Sequence, residues 1–234
     1  MKAESPYKGS WLFLFFILAA LILSGCSDSG SKPMFQANLK RTGVYPSGGP
    51  STLNELVWKF KTDDFVWSSP AISGGTVYFG SEDGHLYAVD TASGEEKWSF
   101  KADDGIASSP AISGGMVYFG SDDGHLYAVD TASGEEHWSF ETDRKIASSP
   151  AISGGTVYVG ANDGYLYAVG TASGQEKWSF NANDGSVSSP AISGGTVYFG
   201  SFDDHFYAVD TASGEEQWSF KTDSSIIASP AISG

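Results

Sequence analysis

Short apolar runs separated by glycine-rich turns recur along most of this chain at a fixed interval. Residues 61–100 and 101–140 align without gaps and differ only at positions 62/102, 65/105, 66/106, 67/107, 76/116, 82/122 and 97/137, so 33 of 40 positions are identical. Two further copies occupy 141–180 and 181–220, and a fifth starts at Lys221. Within residues 101–140 the pattern predicts four strands. The first is Ser109–Ser113, with Pro110 near its start, where proline is tolerated. Gly114-Gly115 turns the chain into Met116–Ser121, and Asp122-Asp123-Gly124 turns it into His125–Asp130. Thr131-Ala132-Ser133-Gly134 leads to the last strand, Glu136–Phe140. Both faces of these strands carry apolar residues, so both must be covered. A four-stranded sheet stacked between copies of itself meets that need, and a period near 40 points to a β-propeller.

The predicted fold is therefore all-β, with four-stranded antiparallel blades over about 68–100, 108–140, 148–180 and 188–220 and a partial unit at 228–234. Leu56–Lys61, LVWKFK, matches the closing run of each repeat and is read as a leading fourth strand. Four blades with a strand at either end are read as an incomplete ring, with association of two arcs as the rival. Open blade edges imply self-association.

The first 25 residues have a different pattern. Lys2 and Lys8 precede an unbroken apolar run, Trp11–Leu23, which is 13 residues long. A bilayer-spanning helix needs about 20. A charged start, a short apolar run and small residues afterwards mark residues 1–25 as a secretory signal. The run ends Leu23-Ser24-Gly25-Cys26, and Cys26 is the only cysteine. This resembles the bacterial lipobox, in which the cysteine receives lipid, so Cys26 is the predicted lipidation site and the membrane contact. Residues 26–55, rich in Ser, Gly and Pro, read as a flexible tether before the repeats at 56–234. The expected location is extracytoplasmic, periplasmic or at the cell surface.

Composition narrows the partners. The chain has 28 acidic and 13 basic residues, a net charge of −15. Phosphate binding needs a basic surface, so nucleic acid is excluded as a partner. One cysteine excludes an intramolecular disulfide, and stability must come from packing.

Ala128-x-Asp130-x-x-Ser133-Gly134-x-x-x-Trp138 recurs at Ala88 to Trp98 and Ala208 to Trp218; Ala168 to Trp178 keeps it with Gly170 in place of the aspartate. This spacing resembles the tryptophan-docking repeat of pyrroloquinoline-quinone-type β-propellers, and the likeness runs over about residues 34–234. The whole looks like the propeller lipoprotein of outer-membrane barrel-assembly machinery. The resemblance implies that Trp58, Trp98, Trp138, Trp178 and Trp218 dock between blades. It also implies other envelope proteins as partners. Quinone-dependent dehydrogenases of the family use an adjacent cysteine pair, calcium ligands and a catalytic aspartate. With one cysteine that pair cannot form, and no cofactor is expected, PQQ and calcium being the two the family would allow.

Candidate chemistry in the repeat is sparse, and no catalytic residue is assigned. His85, His125 and His205 share one position that holds Tyr165 in the third unit, which suits a packed aromatic slot and not a metal site. His137 occupies a freely varying position. The acidic turns lack the spaced ligands of a calcium loop. Glu95-Glu96 and Glu135-Glu136 are sequence neighbours, so on a strand they face opposite ways. Where the copies disagree is more informative. The links between fourth and first strands vary at Phe65, Trp67, Ile106, Lys145 and Val187, and the turn between second and third strands varies at Phe202. In a four-stranded meander both connections lie at the same end, so these residues form the predicted partner-binding face. The expected function is a membrane-anchored, non-catalytic scaffold for protein binding or envelope assembly. The alternatives are a quinone-dependent dehydrogenase or degenerate relative, and an extracellular sensor or polysaccharide-binding module.

Overall fold

The computed structural model describes residues 56–183, 185 and 187–232. Cys26, the signal segment and the tether lie outside the described residues. Among the described residues sixteen strands form four separate antiparallel sheets, each a simple meander. The first blade holds β1 (Ala71–Ser73), β2 (Thr76–Gly80), β3 (His85–Asp90) and β4 (Glu96–Lys101). The second holds β5 (Ala111–Ser113), β6 (Met116–Gly120), β7 (His125–Asp130) and β8 (Glu136–Glu141). The third is β9 (Ala151–Ser153), β10 (Thr156–Gly160), β11 (Tyr165–Gly170) and β12 (Glu176–Asn181). The fourth is β13 (Ala191–Ser193), β14 (Thr196–Gly200), β15 (His205–Asp210) and β16 (Glu216–Lys221). The first strands of consecutive blades touch, which stacks the blades around one inner edge.

Alternation along the strands explains the stacking, because successive side chains point to opposite faces. From the first blade, Tyr78, Leu86 and Ala88 face forward with Trp98 and Phe100; they meet Val117, Phe119, Tyr127 and Val129 of the second blade. The same two sets meet between the second and third blades and between the third and fourth. Phe100 lies edge-on to Phe119, with ring centroids 5.8 Å apart, and Phe119 stacks on Tyr127 at 5.4 Å. Each core is thus an interface between sheets, as the two-sided apolar pattern requires.

Three edges differ from the sequence reading. The first strands begin at Ala71, Ala111, Ala151 and Ala191, two residues later than the predicted Ser109 start. Pro110 has no N–H to give a ladder, and the Ser109 N–H is taken by the Ser149 hydroxyl of the next blade at 2.9 Å. Residues 56–61 form no strand, yet Trp58 and Phe60 pack on the rear face of the first blade against Phe79 and Tyr87. They contribute side chains without a backbone ladder. Ala228–Ile232 likewise form no strand, since no second strand lies beside them among the described residues.

Between third and fourth strands a bulge shifts the register, so that Ala128 pairs with Trp138 while Val129 pairs with Glu136. His137 is the extra residue. The bulge falls at the same place in every blade.

Candidate functional site

Two families of contacts hold the blades, and they sit at opposite ends of the strands. At the end carrying the turns between third and fourth strands, the Trp98 indole Nε1 donates to the Thr131 carbonyl at 3.2 Å. Trp138 does the same to Thr171 at 2.9 Å, Trp178 to Thr211 at 3.1 Å and Trp58 to Thr91 at 2.9 Å. Gly134 lies beneath the Trp98 ring, where an added Cβ would come within 2.8 Å of it, and its φ of +75° suits glycine. Trp218 is placed differently: it is 47% exposed, and its ring meets Tyr198 and Phe206 of its own blade.

The other end carries the variable connections. The link from β4 to β5 is tied to both neighbouring turns: Ala102 N donates to Gly84 O, Ile106 N to Ser81 O, and Asp122 N to Gly105 O, all within 2.9 Å. Serine hydroxyls continue the lacing along the inner edge. Ser69 N bonds Ser109 Oγ at 2.8 Å, Ser109 N bonds Ser149 Oγ, and Ser149 N bonds Ser189 Oγ at 2.9 Å. The links and the turns between second and third strands therefore form one continuous face on a fixed frame.

On that face the variable residues divide into two groups. Phe65, Trp67 and Phe202 are exposed, Trp67 by 67%, and the Phe65 and Trp67 rings lie 5.9 Å apart. Lys145 is half exposed and reaches Asp122 Oδ2 at 3.1 Å. Ile106 and Val187, by contrast, are buried and belong to the core, which corrects their assignment to the partner-binding face. Ile106 Cγ2 would sit 2.3 Å from a Cβ on Gly80, and Val187 Cγ1 2.5 Å from one on Gly160. Ile146 against Gly120 and Ile226 against Gly200 repeat the arrangement. A partial signal for this was present in the sequence: Val66, Ile106, Ile146 and Ile226 share one repeat position and are all β-branched, whereas the fourth unit has Ser186 there and Val187 one residue later.

The face is acidic around the first two blades. Burial pushes the Glu82 carboxyl up, helped by Asp122, Asp64 and Asp104, while Lys145 opposes. Among the described residues Asp122 Oδ1 is buried without a hydrogen-bond partner. Gly105 leaves room for Glu82, whose Oε2 would lie 2.7 Å from an added Cβ. Asp204 takes the turn position held by Gly84, Gly124 and Gly164 in the other blades and adopts a φ of +69°, beside exposed Phe202.

Sequence reasoning treated the turn aspartates as turn formers only, and missed that each holds a tyrosine. Asp83 Oδ2 accepts from Tyr87 Oη at 3.0 Å, Asp123 from Tyr127 at 2.8 Å and Asp163 from Tyr167 at 2.9 Å; Asp203 binds Tyr207 likewise. The same carboxylates also take the N–H groups of His85, His125, Tyr165 and His205. His85 Nδ1 lies 3.2 Å from Asp83 Oδ1 with its ring 5.5 Å from Tyr87, and Tyr165 keeps the same ring contact with Tyr167. The spacing Asp-x-x-x-Tyr in every repeat was the available signal. These histidines serve the turn. Among the described residues no three His, Cys, Asp or Glu side chains converge on a metal position.

A family model described as outer membrane protein assembly factor BamB matches residues 52–150 and 128–233, well over half of the chain. No curated protein matches. Among solved structures, BamB from Moraxella catarrhalis superposes with a TM-score of 0.61 at 22% identity, over 70% of this chain and 52% of that one. The computationally designed Ika8 protein gives 0.64 at 20% identity, again over 70% and 52%. Quinohemoprotein alcohol dehydrogenase from Comamonas testosteroni gives 0.70 at 18% identity, over 82% of this chain and 41% of that one. The chain spans about half the length of these structures or less, and at such identities the likeness is one of fold.

Proposed function

Because the chain belongs to the PQQ-type propeller family described as outer membrane protein assembly factor BamB, we propose that it is a membrane-anchored, non-catalytic scaffold that binds other envelope proteins. The binding surface is the face of variable links and turns. The observation that carries this reading is the exposed Phe65–Trp67 pair on that face. Aromatic anchors of this kind dominate the energy of protein interfaces, and tryptophan is prominent among them. The surrounding links are fixed to the frame by backbone hydrogen bonds, so little ordering cost is added on association.

Lipid at Cys26 supplies the anchor in this reading, and the segment up to residue 55 supplies the reach. The protein then works on the extracytoplasmic side of the membrane. Titratable groups arranged for acid–base or nucleophilic work do not enter the proposal. The dehydrogenase likeness supports the fold alone. PQQ and calcium are not part of the proposal.

The test is affinity purification of the full-length lipoprotein from cross-linked envelopes, followed by rebinding of the captured protein in purified form. Phe65→Ala/Trp67→Ala should weaken rebinding at least tenfold with the fold intact. Unchanged rebinding would remove this face from the proposal, and quinone-dependent dye reduction by the purified chain would replace it with the enzyme reading.

A further inference from the structure

We propose that the groove between the second and third blades, at the end opposite the variable links, binds a primary alkylammonium group. This inference is independent of the scaffold reading. It comes from comparing one position across four blades.

The first, third and fourth blades fill this position with a nitrogen donor of their own. Lys97 Nζ donates to Gly75 O at 3.1 Å and to Thr76 Oγ1 at 2.9 Å, and it lies 3.1 Å from Asp90 Oδ2. Lys177 Nζ reaches Gly155 O at 3.2 Å and Thr156 Oγ1 at 2.7 Å, although Gly170 has replaced the carboxylate. In the fourth blade Gln217 Nε2 donates to Asp210 Oδ2 at 3.4 Å, and Oε1 accepts from Thr196 at 3.0 Å.

The second blade has lost the lysine and one of its three acceptors, and keeps the glycine carbonyl and the aspartate. His137 stands where the lysine would be and is exposed, and Met116 replaces the threonine. Asp130 Oδ1 is engaged by the N–H groups of Ala132 and Ser133 and by the Ser133 hydroxyl. Its Oδ2, the counterpart of the oxygen that meets Lys97, accepts no hydrogen bond among the described residues. Gly115 O takes the Thr131 N–H and hydroxyl but no ammonium. At this place lies a groove of about 680 Å³ lined by Met116, Tyr118, Asp130, Glu135, His137 and, from the third blade, Thr171.

The chemistry of the walls selects the guest. In the first blade the corresponding carboxylate oxygen and carbonyl meet a single Nζ, and that pair suits an ammonium with three rotatable donors better than the planar fork of a guanidinium. Met116 and Tyr118 give the alkyl stem an apolar surface to lie on. The lysines of the first and third blades are built-in examples of the bound state. The group can come from a lysine of another protein or from a free diamine. A divalent transition-metal ion held by the thioether, imidazole and carboxylate, with copper(II) as its probe, is the competing chemistry.

The test is NMR titration of the full chain with N-acetyl-lysine methylamide, with cadaverine and with copper(II). Met116 is a clean reporter, as the chain's other methionines are Met1 and Met34. The proposal expects saturable shifts of the Met116 methyl with one or both amines, and the tighter of the two identifies the source. Met116→Thr/His137→Lys rebuilds the pattern of the first blade, so it should fold normally and lose the amine response. Lys97→Ala should open a second groove and add a second binding event, read at the Thr76 methyl. Amine shifts that persist in the double variant, no saturable amine shift in the wild type, copper binding at Met116 without amine binding, or no second event in Lys97→Ala would each overturn it.

Discussion

The Trp98 indole and the Tyr78 hydroxyl donate to the same acceptor, the Thr131 carbonyl of the following blade, each at 3.2 Å. One residue comes from the fourth strand and the other from the second, so a single oxygen fixes two strands of one blade against the next. Tyr118 with Trp138 at Thr171, and Tyr158 with Trp178 at Thr211, repeat the arrangement. Stability in such an array is a sum over near-identical interfaces.

Trp138→Ala removes one indole from an interface and leaves Thr171 with one donor fewer. The expected loss is about 3–5 kcal/mol. Trp218, half exposed and without that bond, should cost about 1 kcal/mol or less when truncated. Urea unfolding of the two variants checks the contrast.

Gly120→Ala places a methyl group 2.2 Å from Ile146 Cγ2 and 2.6 Å from the Ile146 carbonyl. The backbone oxygen cannot rotate away, so the link between blades must shift. Overpacking of this kind costs about 1–3 kcal/mol. A lower urea midpoint with an unchanged slope is the expected readout.

Acid should destabilise the array. Burial pushes the Asp83 carboxyl up, but the N–H groups of Asp63 and His85 and the hydroxyls of Tyr87 and Ser81 outweigh it and leave it lowered. The Ser93 N–H, then Lys97 and the Ala92 N–H, hold Asp90 at about 2. Asp130 and Asp210 are lowered by their own serine and alanine N–H groups. A carboxyl lowered in the folded state binds fewer protons there than in the unfolded chain. Its stabilisation is therefore present above the ordinary carboxylate range and lost as pH falls through the folded values. The urea midpoint should hold from about pH 7 to 5 and drop between about pH 4 and 2, less steeply in Asp83→Asn. At the alkaline end burial and Asp123 raise Tyr127, which keeps its proton in the fold; that contribution is lost above about pH 10 and is absent in Tyr127→Phe.

The blades were legible in the sequence because four near-copies carry the same two-sided apolar alternation, and the third strand matched residue for residue. The first strand was overread because proline tolerance at a strand start says nothing of Ser109, whose N–H goes to another blade. Variation was equated with exposure, which holds for Trp67 and fails for Ile106 and Val187. Ile106 is buried because it fits over Gly80 of the preceding blade, and Val187, one repeat position later in its own unit, takes the same place over Gly160. The Asp123–Tyr127 bond was hidden since a turn aspartate needs no distant partner to explain it.

Cys26→Ser removes the thiol that would take the diacylglycerol, so the variant should lack the mass of the acyl chains and glycerol on residue 26. Intact-mass spectrometry of wild type and variant, with membrane fractionation, checks the anchor. Equal masses apart from the substituted side chain would remove lipid from the account.

The most direct measurement is site-specific photo-crosslinking in intact cells, with the reactive side chain at Trp67 or Phe202 on the variable face and at Glu95 or Ser133 at the other end. The scaffold account predicts discrete cross-links to an envelope protein from positions 67 and 202, and none to that protein from 95 and 133. Identical products from both ends, or none from 67 and 202, would contradict it.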